Sequence, residues 1–419
     1  MIRHGYLPAG ALLPPIRELA LSLKISPGTI AAAYRVLQSR GIVSADRRRG
    51  TRVSARPPLL MRATEEVLPG LRNAATGNPD AALLPDLREY LGQLRPRPRL
   101  YGESHNRRGL LEIAARQFEA DGVPARSLAI MGGALDAIER TLQVHLQMGD
   151  RVAVEDPGYF EIFALLSALG LKIVPVRVDE CGMEPDDLES ALQSGVAACI
   201  ITPRAQNPTG AALDRTRARD LRRLLDAHGE LLVIEDDHAG PIAGALHHTV
   251  CHLRKERWVM VRSVSKALGP DLRVALVTGD EATISRIEGR QAVGAGWVSH
   301  ILQELVEEIL RDPATAQLLQ RAAYAYSERR HALIEALAAK GIGALGRTGL
   351  NVWVPVSDES SIVANLRSAG WAIRAGERYR IKSGTAVRIS VGALKKDNCA
   401  ALAEAFAQSV RSSRGTRSA

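Results

Sequence analysis

Cysteine is scarce in this chain of 419 residues: Cys181, Cys199, Cys251 and Cys399 stand far apart, and no two form a CxxC pair. That spacing argues against a disulfide framework and fits a reducing compartment. His247, His248, Cys251 and His252 crowd together in a pattern unlike standard zinc sites, so this cluster reads as a loop and no metal is expected. Long apolar runs are missing as well, and none approaches the roughly 18 residues of a membrane helix. Met1–Gly10 lacks the charged-then-apolar pattern of a secretion signal. The expected setting is therefore the cytoplasm, with no membrane partner. With 46% hydrophobic and 24% charged residues, wholesale disorder is excluded. At ~150 residues per domain, the length allows two or three domains.

Acidic residues are short at one end only. Residues 1–60 hold ten Lys/Arg against Glu18 and Asp46, whereas the remaining 359 residues hold 45 bases against 44 acids. Nearly all of the net charge of +9 thus lies in one-seventh of the chain. A small polyanion-binding module attached to a neutral body is the simplest reading.

The basic module has three apolar-periodic segments. Pro14-Pro15 precedes a helix from Ile16 to Leu23, with Ile16, Leu19 and Leu23 on one face. Ser26 can cap a second helix whose first turn carries Pro27. It runs from Thr29 to about Arg40 with Ile30, Ala33, Tyr34 and Leu37 at core spacing, and Gly41 stops it. Ile42–Ser44 and Thr51–Val53 read as two strands around the basic turn Asp46–Gly50. Together these predict a winged helix-turn-helix. The segment from Gly5 to Ala20 with its "L-P-x-x-R-E-L-A", followed by "S-P-G-T-I" and "R-R-G-T-R-V", resembles the DNA-binding domain of GntR-type repressors. The resemblance implies double-stranded DNA as partner. Arg17, Ser26, Gly28 and Thr29 would contact it, and Arg47, Arg48, Arg49 and Gly50 would form the wing on the phosphates or in the minor groove. Two departures stand out. The family usually has a full helix ahead of the position of Gly5, where this chain has Met1–His4. Either the start is misassigned or a packing helix is lacking. Pro27 also replaces the Arg that many relatives carry.

Ser54 to about Pro69, with Arg56, Pro57 and Pro58, reads as a semi-extended tether, either a spacer or a hinge. The expected division is a DNA-binding domain over 1–54, a linker over 55–72, a large body over 73–410 and a polar tail over 411–419.

In the body, helices alternate with β-rich runs at Leu128–Met131, Arg151–Val154, Lys172–Val178, Ala197–Thr202, Leu231–Glu235, Trp258–Arg262 and Val274–Thr278. This predicts an α/β fold with a largely parallel sheet, and ligands bind such folds beyond the carboxyl ends of the strands. Asp156, Tyr159, Asn207, Asp236, Ser263 and Lys266 fall at those ends. The chemistry fits a lysine-bound aldehyde cofactor. Lys266, flanked by hydroxyls in "S-V-S-K", offers an amine for Schiff-base formation, and burial favours its neutral form. Asp236 could hold a ring nitrogen protonated, which is how pyridoxal 5'-phosphate withdraws electrons. Gly132-Gly133-Ala134 opens a helix whose free N–H groups could hold a phosphate.

"N-P-T-G" at Asn207, "E-D-D-H" at Glu235, "S-V-S-K-A-L-G-P-D-L-R" at Ser263 and "V-R-I-S-V" at Val387 occur in order. Asn207 and Asp236 are 29 residues apart, and Asp236 and Lys266 are 30 apart. In combination they resemble fold-type I aspartate aminotransferases over about residues 75–408. The resemblance implies pyridoxal phosphate on Lys266, with Asp236 at the pyridine nitrogen, Asn207 at the ring hydroxyl and Tyr159 of "E-D-P-G-Y" stacked on the ring. It assigns the phosphate to Ser263, Ser265, Arg273 and the backbone of Gly132, Gly133, Ala134 and Leu135. Tyr101 would reach the phosphate of the neighbouring subunit in a homodimer, and Arg388 would clamp the carboxylate of a small amino-acid or amine effector, a task suited to a guanidinium fork. His238 stands where relatives usually place Tyr, which bears on the tuning of the ring hydroxyl.

A GntR-type winged helix joined to an aminotransferase-like body resembles the MocR family of bacterial regulators. The resemblance implies a pyridoxal-phosphate-dependent transcriptional regulator of amino-acid, amine or vitamin B6 metabolism rather than a dedicated enzyme. The alternative is a working aminotransferase with a vestigial DNA module, and a third reading is a response to pyridoxal phosphate itself. Ser263-x-x-Lys266 with Lys382-Ser383-Gly384 is also similar to penicillin-binding enzymes. There the serine opens a helix and an S-x-N element intervenes, whereas here Ser263 closes a strand and Ser357-Asp358-Glu359 lacks the Asn.

Overall fold

The computed structural model describes residues 7, 10–39, 42–46, 50–53, 67–252 and 255–415. The wing-tip arginines Arg47, Arg48 and Arg49, the stop at Gly41 and most of the expected linker lie outside the described residues. The chain divides into two compact units, one of residues 1–66 with 163–173, the other holding the rest.

In the first unit, α1 (Ile16–Leu23) and α2 (Pro27–Ser39) precede an antiparallel hairpin of β1 (Val43–Asp46) and β2 (Gly50–Val53), with Val43 opposite Val53. Ser26 caps α2 by accepting from the Thr29 N–H at 3.1 Å. Proline at the first helical position costs no hydrogen bond. Leu13, Ala20, Ile30, Tyr34, Val43 and Val53 form the core, and the Tyr34 hydroxyl donates to the Pro14 carbonyl at 2.7 Å. Leu23 departs from the expected face: it is 56% exposed, and Ala20, one turn earlier, is buried instead. The helix ends at once in a left-handed Lys24, whose N–H caps the helix at Ala20 and Leu21.

The body begins with β3 (Arg72–Asn73), α3 (Leu87–Leu91), α4 (Arg108–Ala120), β4 (Ser127–Met131) and α5 (Ala134–His145). It continues through β5 (Arg151–Asp156), α6 (Phe160–Ala168), β6 (Lys172–Asp179), β7 (Gly182–Met183), α7 (Pro185–Gln193), β8 (Ala198–Ile201), α8 (Arg215–Asp226) and β9 (Leu232–Asp237). Next come β10 (Trp258–Ser263), β11 (Ala275–Gly279), α9 (Glu281–Val293), α10 (His300–Arg311) and α11 (Pro313–Ala338). The chain closes with β12 (Asn351–Pro355), α12 (Glu359–Ser368), β13 (Trp371–Ala372), β14 (Arg374–Ala375), β15 (Ala386–Ser390) and α13 (Cys399–Gly415).

The main sheet has eight strands in the order β4-β11-β10-β9-β8-β5-β6-β7. Its centre, β5-β8-β9-β10, is parallel, and β9 and β10 are buried along their whole length, as strands covered on both faces must be. The sheet is largely parallel, with β11 reversed: it runs antiparallel to both β10 and β4, so β4 keeps the direction of the centre. Only a 3-10 turn (Pro270–Leu272) lies between β10 and β11, too little for the helical crossover that a parallel return requires. A second core surrounds the three-stranded sheet β12-β15-β14, with Leu333, Val352, Ile362, Leu366, Val387, Ile389 and Phe406 at its centre. The two cores leave the carboxyl ends of β5, β8, β9 and β10 beside the strand that carries Arg388.

Candidate functional site

Asp236 lies near the end of β9, 5% exposed, with its Oδ1 lacking any hydrogen-bond partner. Burial, reinforced by the charges of Asp237 and Glu155, pushes its carboxyl up to about 7. The next residue behaves in the opposite way. Asp237 is buried, which raises it, but Arg204 and Arg262 hold it far below the ordinary carboxylate range. Arg204 donates to both Asp237 oxygens at 2.9 Å, and Arg262 donates at 2.8 Å. One acid is therefore a fixed anion, and its neighbour is poised to take or share a proton.

Lys266 is half-buried three residues past the end of β10, and its Nζ donates to the Gly77 carbonyl at 2.8 Å. His238 directly follows β9, two residues after Asp236. Burial and then the nearby Lys266 charge lower its imidazole to about 4, so it is neutral at pH 7. Asn207, in the loop after β8, accepts at Oδ1 from Arg388 Nη1 at 3.1 Å and from Asn351 Nδ2 at 3.4 Å.

Gly132 and Gly133 join β4 to the N-terminus of α5. Gly133 has φ of 109°, and a Cβ there would stand 2.8 Å from Arg273 Nη2, so only glycine suits this position. Arg273 Nη2 donates to the Gly132 carbonyl at 3.3 Å. The N–H groups of the first turn, from Ala134 and Leu135, have no side-chain cap. Ser263 Oγ accepts from the Ser265 N–H at 3.2 Å. This is an anion cradle of helix-terminus amides, hydroxyl and guanidinium.

Arg388 on β15 is 4% exposed. Its Nη2 donates to the Ala75 carbonyl at 2.5 Å, its Nε has no partner, and its Cζ lies 4.9 Å from the Tyr379 ring centre. Tyr159 hydrogen-bonds Glu161 and meets Phe160 edge to face, with ring centres 5.5 Å apart. Tyr101 is not brought to these groups. It is 93% exposed and packs edge-on against Trp297 with ring centres 5.7 Å apart.

Motif reading missed several members. Ala75 and Gly77 act through their carbonyls, and a Cβ on Gly77 would come within 3.2 Å of Arg388 Nη2. The only signal was the turn Gly77-Asn78-Pro79. Glu155, accepting from Thr202 and Gln206, supports the Asn207 loop. In the first unit, Arg17, Ser26, Gly28, Thr29 and Gly50 are all exposed, and Ser26 Oγ and Thr29 Oγ1 lie 2.8 Å apart.

The body's groups suit pyridoxal phosphate. The orphaned Asp236 oxygen wants a buried N–H donor, the Gly133–Arg273 cradle wants a dianion, and Lys266 stands at the same strand ends. The class follows: a winged helix-turn-helix ahead of a body with the aminotransferase fold. Residues 98–406 match the family model for class I and II aminotransferases, and residues 1–53 match that for bacterial regulatory proteins of the gntR family. The vitamin B6 salvage pathway transcriptional repressor PtsJ of Salmonella typhimurium is 38% identical over 402 residues, covering 95% of this chain and 93% of PtsJ. The pyridoxine biosynthesis regulator PdxR of Corynebacterium glutamicum is 27% identical, covering 79% of this chain and 75% of PdxR. Among solved structures, kynurenine aminotransferase of Pyrococcus horikoshii superposes with a TM-score of 0.75 at 20% identity, covering 82% of this chain and 91% of that one.

This chain belongs to the MocR-type regulators, in which a gntR-family DNA-binding domain precedes a class I and II aminotransferase domain. It is a DNA-binding transcriptional regulator, and its cofactor is pyridoxal phosphate. No helix among the described residues is long and apolar enough to cross a membrane.

Proposed function

We propose that the body senses vitamin B6 status or a related amine and that the winged helix reports it to DNA in the cytoplasm, as a homodimer. When bound, the cofactor supplies an aldehyde that captures amines and a cationic ring that withdraws electrons. Lys266 provides the resident amine. Asp236, whose carboxyl is shifted up to about 7 by burial, would hold the ring nitrogen by sharing a proton with it. Asn207 and neutral His238 flank the ring hydroxyl, Tyr159 lies against the ring, and the Gly132–Leu135 amides with Ser263, Ser265 and Arg273 hold the phosphate. Arg388, with a free buried Nε, takes an effector carboxylate. Tyr101, exposed within one chain, reaches the second subunit. Arg17, Ser26, Gly28, Thr29 and Gly50, together with the wing-tip arginines, meet the duplex.

The observation that carries this reading is the buried, unpartnered Asp236 oxygen at the same strand ends as Lys266. Similarity to PtsJ over nearly the full length supports the vitamin B6 assignment. The test is to add pyridoxal phosphate to purified protein, reduce with borohydride and map the modified peptide. Label on Lys266 supports the reading, and a colourless, unlabelled protein ends it. Intact Asn207, Asp236, Lys266 and Arg388 favour a second reading, slow transamination. Multiple turnovers with amino acid and 2-oxo acid, with no DNA bound at moderate salt, would establish it.

A further inference from the structure

The acids of "E-D-P-G-Y" face two ways. Glu155 holds the loop that presents Asn207, accepting from Thr202 N at 2.9 Å, Thr202 Oγ1 at 2.8 Å and Gln206 Nε2 at 3.1 Å. Asp156, buried at the end of β5, points to a segment more than two hundred residues later. Its carboxylate accepts from Ile381 N at 2.8 Å, Lys382 N at 2.7 Å, Ser383 N at 3.0 Å and Ser383 Oγ at 2.9 Å. Three successive backbone N–H groups thus form a nest filled by one side chain. Beside it, Gly158 N donates to the Tyr379 carbonyl at 2.7 Å.

The clasped segment runs from the Tyr379 ring into β15 and Arg388. Tyr379 meets Phe160 edge to face at 5.5 Å and Trp353 at 6.2 Å, and it lies under the Arg388 guanidinium. From the far side, Glu359 accepts from Glu377 N at 2.8 Å, Arg380 Nε at 2.9 Å and Ala386 N at 3.0 Å. Residues 377–386 are therefore a strap pinned by two buried acids, with Arg388 just beyond its end. Asp156 is the pin that ties this strap to the sheet carrying the cofactor residues.

We infer that Asp156 is a positioning residue for the effector carboxylate: by clasping residues 381–383 it sets where Tyr379 and Arg388 stand relative to the amine site at Lys266. The inference rests on the reading that Lys266 holds pyridoxal phosphate and Arg388 takes a carboxylate. Asp156→Asn places an amide N–H against two of the donors. It leaves Lys266, Asp236 and the phosphate cradle untouched. A positioning role lowers the preference for a carboxylate-bearing amine, whereas a general structural role lowers all binding together.

The experiment uses the full chain loaded with pyridoxal phosphate. L-alanine and ethylamine, which differ by one carboxylate, are titrated, and the visible absorption change reads displacement of the lysine. Native protein should prefer L-alanine. Asp156→Asn should lose about tenfold or more of that preference, and Ser383→Ala, which removes one of the four bonds, about two- to fivefold. Cofactor affinity in both variants should stay within about threefold of native. Native protein that takes up no cofactor, or shows no preference, overturns the underlying reading. A preference kept in Asp156→Asn, or lost only in step with cofactor affinity, overturns the inference itself. Ser383→Ala keeps the test decisive if Asp156→Asn fails to fold.

Discussion

The two units place charge in opposite ways. In the winged helix the described cations Arg17, Lys24 and Arg52 are exposed, around a core of Leu13, Ala20, Ile30, Tyr34, Val43 and Val53. In the body Asp237, Asp236 and Arg388 are buried: two arginines hold Asp237, burial and then Asp237 govern Asp236, and Arg388 is anchored to Ala75 and Asn207. Exposed charge gives a salt-sensitive, long-range contact suited to phosphates. Buried charge gives a site whose geometry is set before the ligand arrives and whose proton affinities are shifted by the surroundings. One end searches and the other discriminates.

The contrast can be broken most severely at Lys266. Lys266→Ala should abolish covalent retention of cofactor after borohydride, read by mass spectrometry, while leaving DNA contacts of the first unit in place. Asp237→Asn comes next. It leaves Arg204 and Arg262 with Asp121 as their remaining carboxylate and a neutral amide in place of Asp237, and should cost about 2–4 kcal/mol in denaturant unfolding. A loss below 1 kcal/mol would show that the network is not a stabilising core.

Asp236 sharpens the comparison through pH. Its folded-state carboxyl is raised to about 7, above the ordinary value near 3.8, so the folded form holds a proton that the unfolded form has released. This contribution is intact at low pH and fades as pH rises through about 4 to 7. Without cofactor, Asp236→Asn should match native stability near pH 4 and exceed it by roughly 2–4 kcal/mol near pH 8. Equal pH profiles for the two proteins would refute the assignment. The smallest effect belongs to the wing: Arg48→Ala should weaken binding to all DNA sequences alike and lower the salt slope by about one.

Much of the body could be read from the sequence because its chemistry comes in short side-chain motifs at strand ends. Lys266, Asp236, Asn207 and Arg388 each carry a signature that periodicity places after an apolar run. What stayed hidden has physical causes. Ala75 and Gly77 serve through carbonyl oxygens, which every residue owns. The partners of Asp156 are backbone N–H groups of residues 381–383, and nothing in their side chains marks them. Strand direction leaves no trace in an apolar run, so nothing in Val274–Thr278 marks β11 as the reversed strand. Leu23 fitted the helical face yet is exposed, because the left-handed turn at Lys24 ends α1 beneath it.

The central claim is that the aldehyde held by Lys266 governs the grip of the winged helix on DNA. Its most direct test measures affinity of the full chain for a duplex from beside its own coding region, with and without pyridoxal phosphate, in native and Lys266→Ala protein. The account predicts at least a roughly fivefold change in native protein, in line with ordinary allosteric coupling, and none in the variant. Identical affinities in native protein, loaded and unloaded, would contradict it.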